Sequence, residues 1–347
     1  MKCSGPNGAD YRVIQLHPTR RCNLKCLHCY SSSSPRNEDA LAPSVLTRAL
    51  QVLSGEGFNV VSISGGEPLL YKPLIEVLRF ARSLGMTVTL TTNGMLLGEA
   101  VLDQLAQTAH LLAISLDGVP ESHNRMRSHP QAFEKMAHNV KLVRAAKIPF
   151  GFIFALTLYN LHELAWVAQF AHEQGAALLQ VHPLEEEGRA GQELQGAAPD
   201  EEELAHAFVE VARLQTLYSG KLTIQFDAAD RESLAADPSR AFAMSPAVEA
   251  ATLPLSALVA PLVLEHDGAL TPFQYGVSRG YQIADASNDG FVHQITSWKT
   301  TGYPKLLDLC SRVYEHKMDA RQSRYPFFNW YSAVLRDSKQ DSLVQIA

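Results

Sequence analysis

The chain has no run of about 18 apolar residues, the length a membrane-crossing helix needs. Its longest apolar stretch, Leu253 to Leu264, is broken by two prolines and a serine. The opening MKCSGPNGADYR holds no apolar core of the kind a signal peptide carries, so a cytoplasmic protein is expected. A basic excess is also missing: 30 lysines and arginines face 36 acidic residues, a net charge of -6. Without a basic field, nucleic acid is an unlikely partner. Cysteine is scarce, with five in 347 residues, an odd number ill suited to a disulfide framework. Three of the five nevertheless fall within eight residues, which points to a metal site in a reducing compartment.

What is present is an alternation of short apolar or β-branched runs with longer amphipathic segments over the first two thirds of the chain. That rhythm belongs to a parallel βα array. Strands are expected at Tyr11–Leu16, Asn59–Ser64, Met86–Thr91, His110–Leu116, Ile148–Leu156, Ala177–His182 and Lys221–Phe226. Helices are expected near Pro43–Gly55, Lys72–Leu84, Leu97–Gln107, Gln131–Ala146, Leu161–Glu173 and Asp200–Leu217. The expected fold class is α/β, a partial (β/α)6-type barrel with parallel strands over residues 1–230, plus a small α+β region over 231–347. Glu185–Pro199 reads as a surface loop, and Ala228–Ala251 as loosely helical. Ser256–Glu265 reads as a strand entering a hairpin that turns at Asp267-Gly268. Helices follow from Phe291.

Cys22-x3-Cys26-x2-Cys29 stands just after the first expected strand, on the loop that in barrel folds belongs to the functional face. Three thiolates so spaced could hold three irons of a cubane cluster and leave the fourth iron open. Zinc, with His28 as a fourth ligand, is the other reading of the spacing alone. At the end of the second strand, Gly65-Gly66-Glu67-Pro68 allows a tight turn close to a ligand.

The cysteine loop followed by a strand-end GGEP resembles the radical S-adenosylmethionine superfamily. The resemblance covers roughly residues 10–230, with clear motifs between 18 and 118. It implies that Cys22, Cys26 and Cys29 hold one [4Fe–4S] cluster whose open iron takes S-adenosylmethionine. By the same resemblance His28 lies near the adenine, and Gly65, Gly66 and Glu67 bind the methionyl amine. Asn93, from Thr91-Thr92-Asn93-Gly94, and Ser115 and Asp117, from Ser115-Leu116-Asp117-Gly118, approach the ribose and carboxylate. Asn93 could equally be a plain turn residue before Gly94. Arg125 and Arg127 read as solvated surface charges as readily as cofactor contacts, and His182 as a structural histidine. The implied activity is reductive cleavage of S-adenosylmethionine and hydrogen abstraction from a substrate, with a flavodoxin- or ferredoxin-like electron donor.

After residue 255 the chain resembles the start of a SPASM extension, but Phe273 follows Pro272 where that extension has a cluster cysteine. With only Cys3 and Cys310 elsewhere, no auxiliary cluster is expected, and Cys310 reads as a buried apolar residue. Enzymes with such an extension commonly modify ribosomally made peptides, which makes a peptide the leading substrate. A separate leader-peptide-binding protein is then expected, because only about ten residues precede the first strand. Tetrapyrrole side-chain modification, as in the haem branch, and small-molecule biosynthesis are the alternatives. A non-enzymatic metal-binding or electron-transfer module is the distant one. The aromatic segment Arg324–Tyr331 reads as a docking segment or a partner surface.

Overall fold

In the computed structural model, which describes residues 3–4, 10–319, 321 and 324–344, ten strands form one sheet. Seven are parallel neighbours in chain order: β1 (Val13–Leu16), β2 (Val60–Ile63), β3 (Thr87–Thr92), β4 (Leu111–Ser115), β5 (Phe150–Leu156), β6 (Leu178–Pro183) and β7 (Thr223–Phe226). Helices carry the crossovers that parallel neighbours require: α1 (Pro43–Gly55), α2 (Leu74–Ser83), α3 (Glu99–Thr108), α4 (Pro120–Arg127), α5 (Ala132–Ala145), α6 (Leu164–Glu173) and α7 (Glu201–Leu217).

Local chemistry sets the helix starts. Pro43 opens α1 at a position where its missing N–H costs nothing. Asp200 caps α7 by accepting from the Glu202 and Glu203 N–H groups at 2.7 and 3.1 Å, while the Glu203 carboxylate takes the Asp200 N–H. This capping box satisfies donors that a helix N-terminus otherwise leaves without partners.

The strands alternate with period two, and their two faces differ in kind. Ile14, Leu16, Val61, Ile63, Val88, Leu90, Leu112 and Ile114 point outward and are fully buried under the helices. Each such side chain stabilises the fold by about 1.5–3 kcal/mol. The opposite positions, among them Gln15, Ser62, Thr89, Thr91, Ser115, Gln180 and His182, line an internal cavity of about 970 Å³. Polar side chains set in a mainly apolar lining around a cavity are the arrangement of a binding chamber, not of a filled barrel core.

The sheet stays open. Beyond β1 it continues through β8 (Leu262–Leu264), parallel to β1, and then β9 (Ala269–Pro272) and β10 (Ala284–Asp285), both antiparallel to their neighbours. Strands from the expected C-terminal region thus extend the sheet of the first 230 residues. Helices α8 (Phe291–Thr301), α9 (Tyr303–Met318) and α10 (Trp330–Val344) complete this end. No helix among the described residues is long and apolar enough to cross a membrane.

Four expectations are corrected. Ala228–Ala251 holds a two-residue strand, Ala229–Asp230, paired antiparallel with Phe327–Phe328, one short helix, Arg231–Ala236, and a 3-10 turn at Pro238–Arg240; its 239–245 segment lines the cavity, with Phe242 stacked on Trp330 at 5.7 Å. Ser256–Glu265 is not one strand: Leu255–Leu258 is a helical turn and Pro261 delays strand pairing to Leu262. Residues 120–127, outside every expected helix, form α4, opened by Pro120. Glu185–Pro199 is no surface loop: Ala190, Leu194 and Ala197 are buried in a small cluster with Met126 and Leu184. The aromatic segment docks, with Phe327, Phe328 and Trp330 all buried, and Arg231 sits 4.7 Å above the Phe328 ring. Cys310 is buried within α9 in the main core.

Candidate functional site

Cys22, Cys26 and Cys29 lie on the loop after β1, at the C-terminal edge of the parallel strands, and all three line the cavity. Four neighbouring loops hold this loop in place. From the turn after β2, the Gly66 and Glu67 N–H groups donate to the Thr19 and Arg21 carbonyls, each at 2.9 Å. From the end of β3, Asn93 Nδ2 donates to Asn23 Oδ1 at 2.8 Å. From α4, the Met126 carbonyl accepts from the Leu27 N–H at 2.9 Å. From the segment after β6, the buried Arg189 guanidinium donates to the Cys26 and Ser33 carbonyls, both at 2.7 Å.

The glycines in these turns are there because backbone meets backbone. A Cβ on Gly66 would overlap the Arg21 carbonyl, and one on Gly188 the Tyr30 carbonyl. Gly188 also has a φ of +57°, in the left-handed region that favours glycine.

Of the residues expected at the site, Cys22, Cys26, His28, Cys29, Gly65, Gly66, Asn93, Ser115 and Asp117 all reach the cavity wall. Glu67 stands behind it, fully buried. Its Oε1 accepts from Thr92 Oγ1 at 2.8 Å and the Leu69 N–H at 3.2 Å, and its Oε2 from the Asn93 N–H at 2.9 Å. Burial raises its pKa, and these donors work in the opposite sense. Its carboxylate therefore ties the turn after β2 to the end of β3. Asn93 serves the turn, where its Oδ1 accepts from the Met95 N–H, and it also lines the cavity.

Asp117 is completely buried and gripped by Arg127, whose Nε donates to Oδ2 at 2.5 Å and Nη2 to Oδ1 at 3.2 Å. Burial would raise the Asp117 pKa, but the Arg127 charge holds it down to about 2. The same guanidinium reaches Cys26 Sγ from Nη1 at 3.8 Å. Arg127 is thus a buried residue of the site, not a solvated charge; Arg125 is exposed. His28 Nε2 lies 3.6 Å from Asp117, but burial lowers the ring to about 4, so it faces the carboxylate neutral. Burial pushes the Cys22 and Cys26 thiols up to about 12 and about 11.

Sequence reasoning missed Arg189 and the far wall of the chamber. Asp227, just beyond β7, accepts from Gln180 at 2.5 Å, Gln225 at 2.9 Å and His182 at 3.0 Å. His182 also lies 3.5 Å from Glu185. Burial disfavours its charge, yet the hydrogen bonds to Asp227 and Glu185 outweigh that and push it up to about 10. The period-two pattern at Gln180, His182 and Gln225 was the available signal for this wall.

The donor set suits a cluster better than a single ion. Three cysteine sulfurs on the wall of an open cavity can take three irons of a cubane and leave the fourth free, whereas structural zinc asks for a closed set of four ligands. His28 Nδ1, a buried polar atom with no protein partner, lies among the wall residues and fits a further ligand there.

Residues 16–171 match the family model of the Radical SAM superfamily. The chain is 31% identical over 207 residues to the AdoMet-dependent heme synthase of Methanosarcina barkeri, a match covering 58% of this chain and 59% of that protein. It is 26% identical over 199 residues to the sporulation killing factor maturation protein SkfB of Bacillus subtilis, covering 57% of this chain and 48% of that one. The chain thus spans about half the length of these curated relatives. Among solved structures, Streptococcus suis SuiB bound to S-adenosylmethionine superposes with a TM-score of 0.66 at 16% identity, covering 86% of this chain and 68% of that chain. SuiB bound to its precursor peptide SuiA superposes at 0.61, with 17% identity, covering 76% of this chain and 59% of that chain. These structural likenesses extend the fold match past the family model into the C-terminal region.

Proposed function

We propose that this protein is a radical S-adenosylmethionine enzyme that modifies a ribosomally made peptide. Cys22, Cys26 and Cys29 would hold one [4Fe–4S] cluster, with Gly65, Gly66, His28, Asn93, Ser115 and Asp117 around S-adenosylmethionine. When bound and reduced by one electron, the cofactor pair supplies methionine and a 5′-deoxyadenosyl radical that takes a hydrogen atom from the substrate. The chain's own work is to hold the thiols through Arg189 and the turn after β2, and to position the substrate in a chamber that limits access of water.

The observation that carries the peptide reading is the composition of the far wall. Gln180 and Gln225, with Asp227 and Glu185, offer amide and carboxylate groups that match peptide N–H and C=O groups. A tetrapyrrole of the haem branch carries several carboxylates and calls for a set of cations. Of the arginines on the cavity wall, Arg12, Arg127 and Arg240, Arg127 is bound to Asp117, and His182 stands between two carboxylates. Tetrapyrrole modification remains the second reading because the M. barkeri heme synthase is among the relatives. A flavodoxin- or ferredoxin-like protein would deliver the electron, and a separate protein would present the leader peptide.

The test is anaerobic reconstitution followed by dithionite and S-adenosylmethionine, with iron and 5′-deoxyadenosine measured per chain. About four irons and cofactor cleavage are expected for one cluster. Stimulation by a short peptide encoded beside the gene, and none by an iron porphyrin, supports the peptide reading. The reverse selects the tetrapyrrole, and zinc without iron ends both.

A further inference from the structure

We infer that Arg127 sets the reduction potential of the cluster through the sulfur of Cys26, with Asp117 as the counter-charge that aims it and limits its effect. The inference rests on the cluster reading above.

The geometry is specific. Arg127 is the last residue of α4 and only 9% exposed. It has five N–H donors in a rigid plane and no means of giving up its charge. Nε and Nη2 are spent on the two oxygens of Asp117, which fixes the plane of the guanidinium. That leaves Nη1 directed at Cys26 Sγ, 3.8 Å away. Asp117 is itself immovable: it is fully buried, its N–H donates to His123 Nδ1 at 3.2 Å, and its carbonyl accepts from Asn160 at 3.0 Å. Among the described residues no cation donates to the sulfur of Cys22 or Cys29; these sulfurs accept from the backbone N–H groups of Leu24 and Ser33.

Reduction adds one negative charge to a cluster. A cation donating to a ligand sulfur stabilises that added charge and raises the potential, whereas a buried anion nearby opposes it. Arg127 and Asp117 form a compensated pair with the positive member on the sulfur side. Removing the cation strips the N–H···S contact and leaves the anion uncovered, so the potential falls. Removing the anion uncovers the cation, so the potential rises. A role confined to packing would not move the two variants in opposite directions.

The experiment is an EPR-monitored redox titration of reconstituted full-length protein without S-adenosylmethionine, on wild type, Arg127→Gln, Arg127→Lys and Asp117→Asn, with iron counted in each. In Arg127→Gln the ratio of reduced to oxidised cluster at a fixed potential is expected to fall about tenfold, equivalent to about 59 mV for a one-electron couple. In Asp117→Asn the ratio is expected to rise, and Arg127→Lys, which keeps the charge but lacks the fork, to fall between wild type and Arg127→Gln. Loaded variants that titrate with wild type, or that all shift the same way, overturn the inference. Should Arg127→Gln fail to hold iron, a fall in Arg127→Lys with a rise in Asp117→Asn sustains it, and any other pair of results overturns it. A wild-type sample with no cluster signal defeats the preceding reading instead, so the two failures are distinguishable.

Discussion

Arg189 and Glu67 show how a buried polar side chain organises this site without facing the cavity. Each replaces a set of backbone or side-chain contacts that water would otherwise have to satisfy, and neither leaves a donor or acceptor idle near the cysteine loop. Arg189→Ala uncovers the carbonyls of Cys26 and Ser33. Hydrogen bonds to charged groups are worth roughly 1.5–3 kcal/mol each. The expected outcome is a loss of about 3 kcal/mol or more in urea unfolding of the metal-free protein, together with a severalfold drop in iron retained after reconstitution. Unchanged iron retention would leave Arg189 a stability residue only. Arg189 was not legible in the sequence, because a run rich in glutamate and glycine carries no sign that one arginine in it will be buried by a loop more than 150 residues away.

The turn after β2 was legible as a tight turn, and its purpose was not. Two glycines suggested an approach to a ligand; the structure adds that Gly66 packs against the backbone that leads into the cysteines. Replacing it with alanine forces the two loops apart, since the Arg21 carbonyl is backbone and has no rotamer to yield. Gly66→Ala is expected to keep the wild-type circular dichroism spectrum but take up less than about half the wild-type iron, a cost typical of overpacking. Equal iron in the two proteins would show that the loops separate freely. The strands and crossover helices of the first 217 residues follow the hydrophobic period closely, and α1 coincides with its expected range. Agreement fails where the period does: at 120–127, 185–199 and 228–265, segments whose conformation is decided by what they pack against.

An open sheet whose inner face lines a cavity must be closed by something other than its own strands. Here β8 to β10 continue it beyond β1, while the 239–245 segment and Trp330 fill in the chamber wall. The His182–Asp227 pair joins β6 to the chain leaving β7 at the far edge. Because the folded state raises the His182 pKa to about 10, its contribution is complete below the ordinary histidine value near 6.5 and disappears as pH rises through 10. His182→Gln is therefore expected to be less stable than wild type at pH 7, by no more than about 1 kcal/mol given the screening of a ring 38% exposed, and equal to it near pH 11. Urea unfolding at the two pH values measures this. A difference that persists undiminished at the higher pH would assign it to packing.

Order along the chain was enough to determine the parallel array, the cysteine loop at its functional edge and the family the motifs define, because each depends on residues close together in sequence. Only the tertiary structure decided that Arg127 lies against Cys26, that Arg189 clamps the same loop, and that Gln180, His182, Gln225 and Asp227 form one wall. All of these but Gln225–Asp227 join segments tens to more than a hundred residues apart, and no local periodicity carries their partners' identities. Burial then fixes their charge states, which depend on desolvation and neighbours, not on residue type alone.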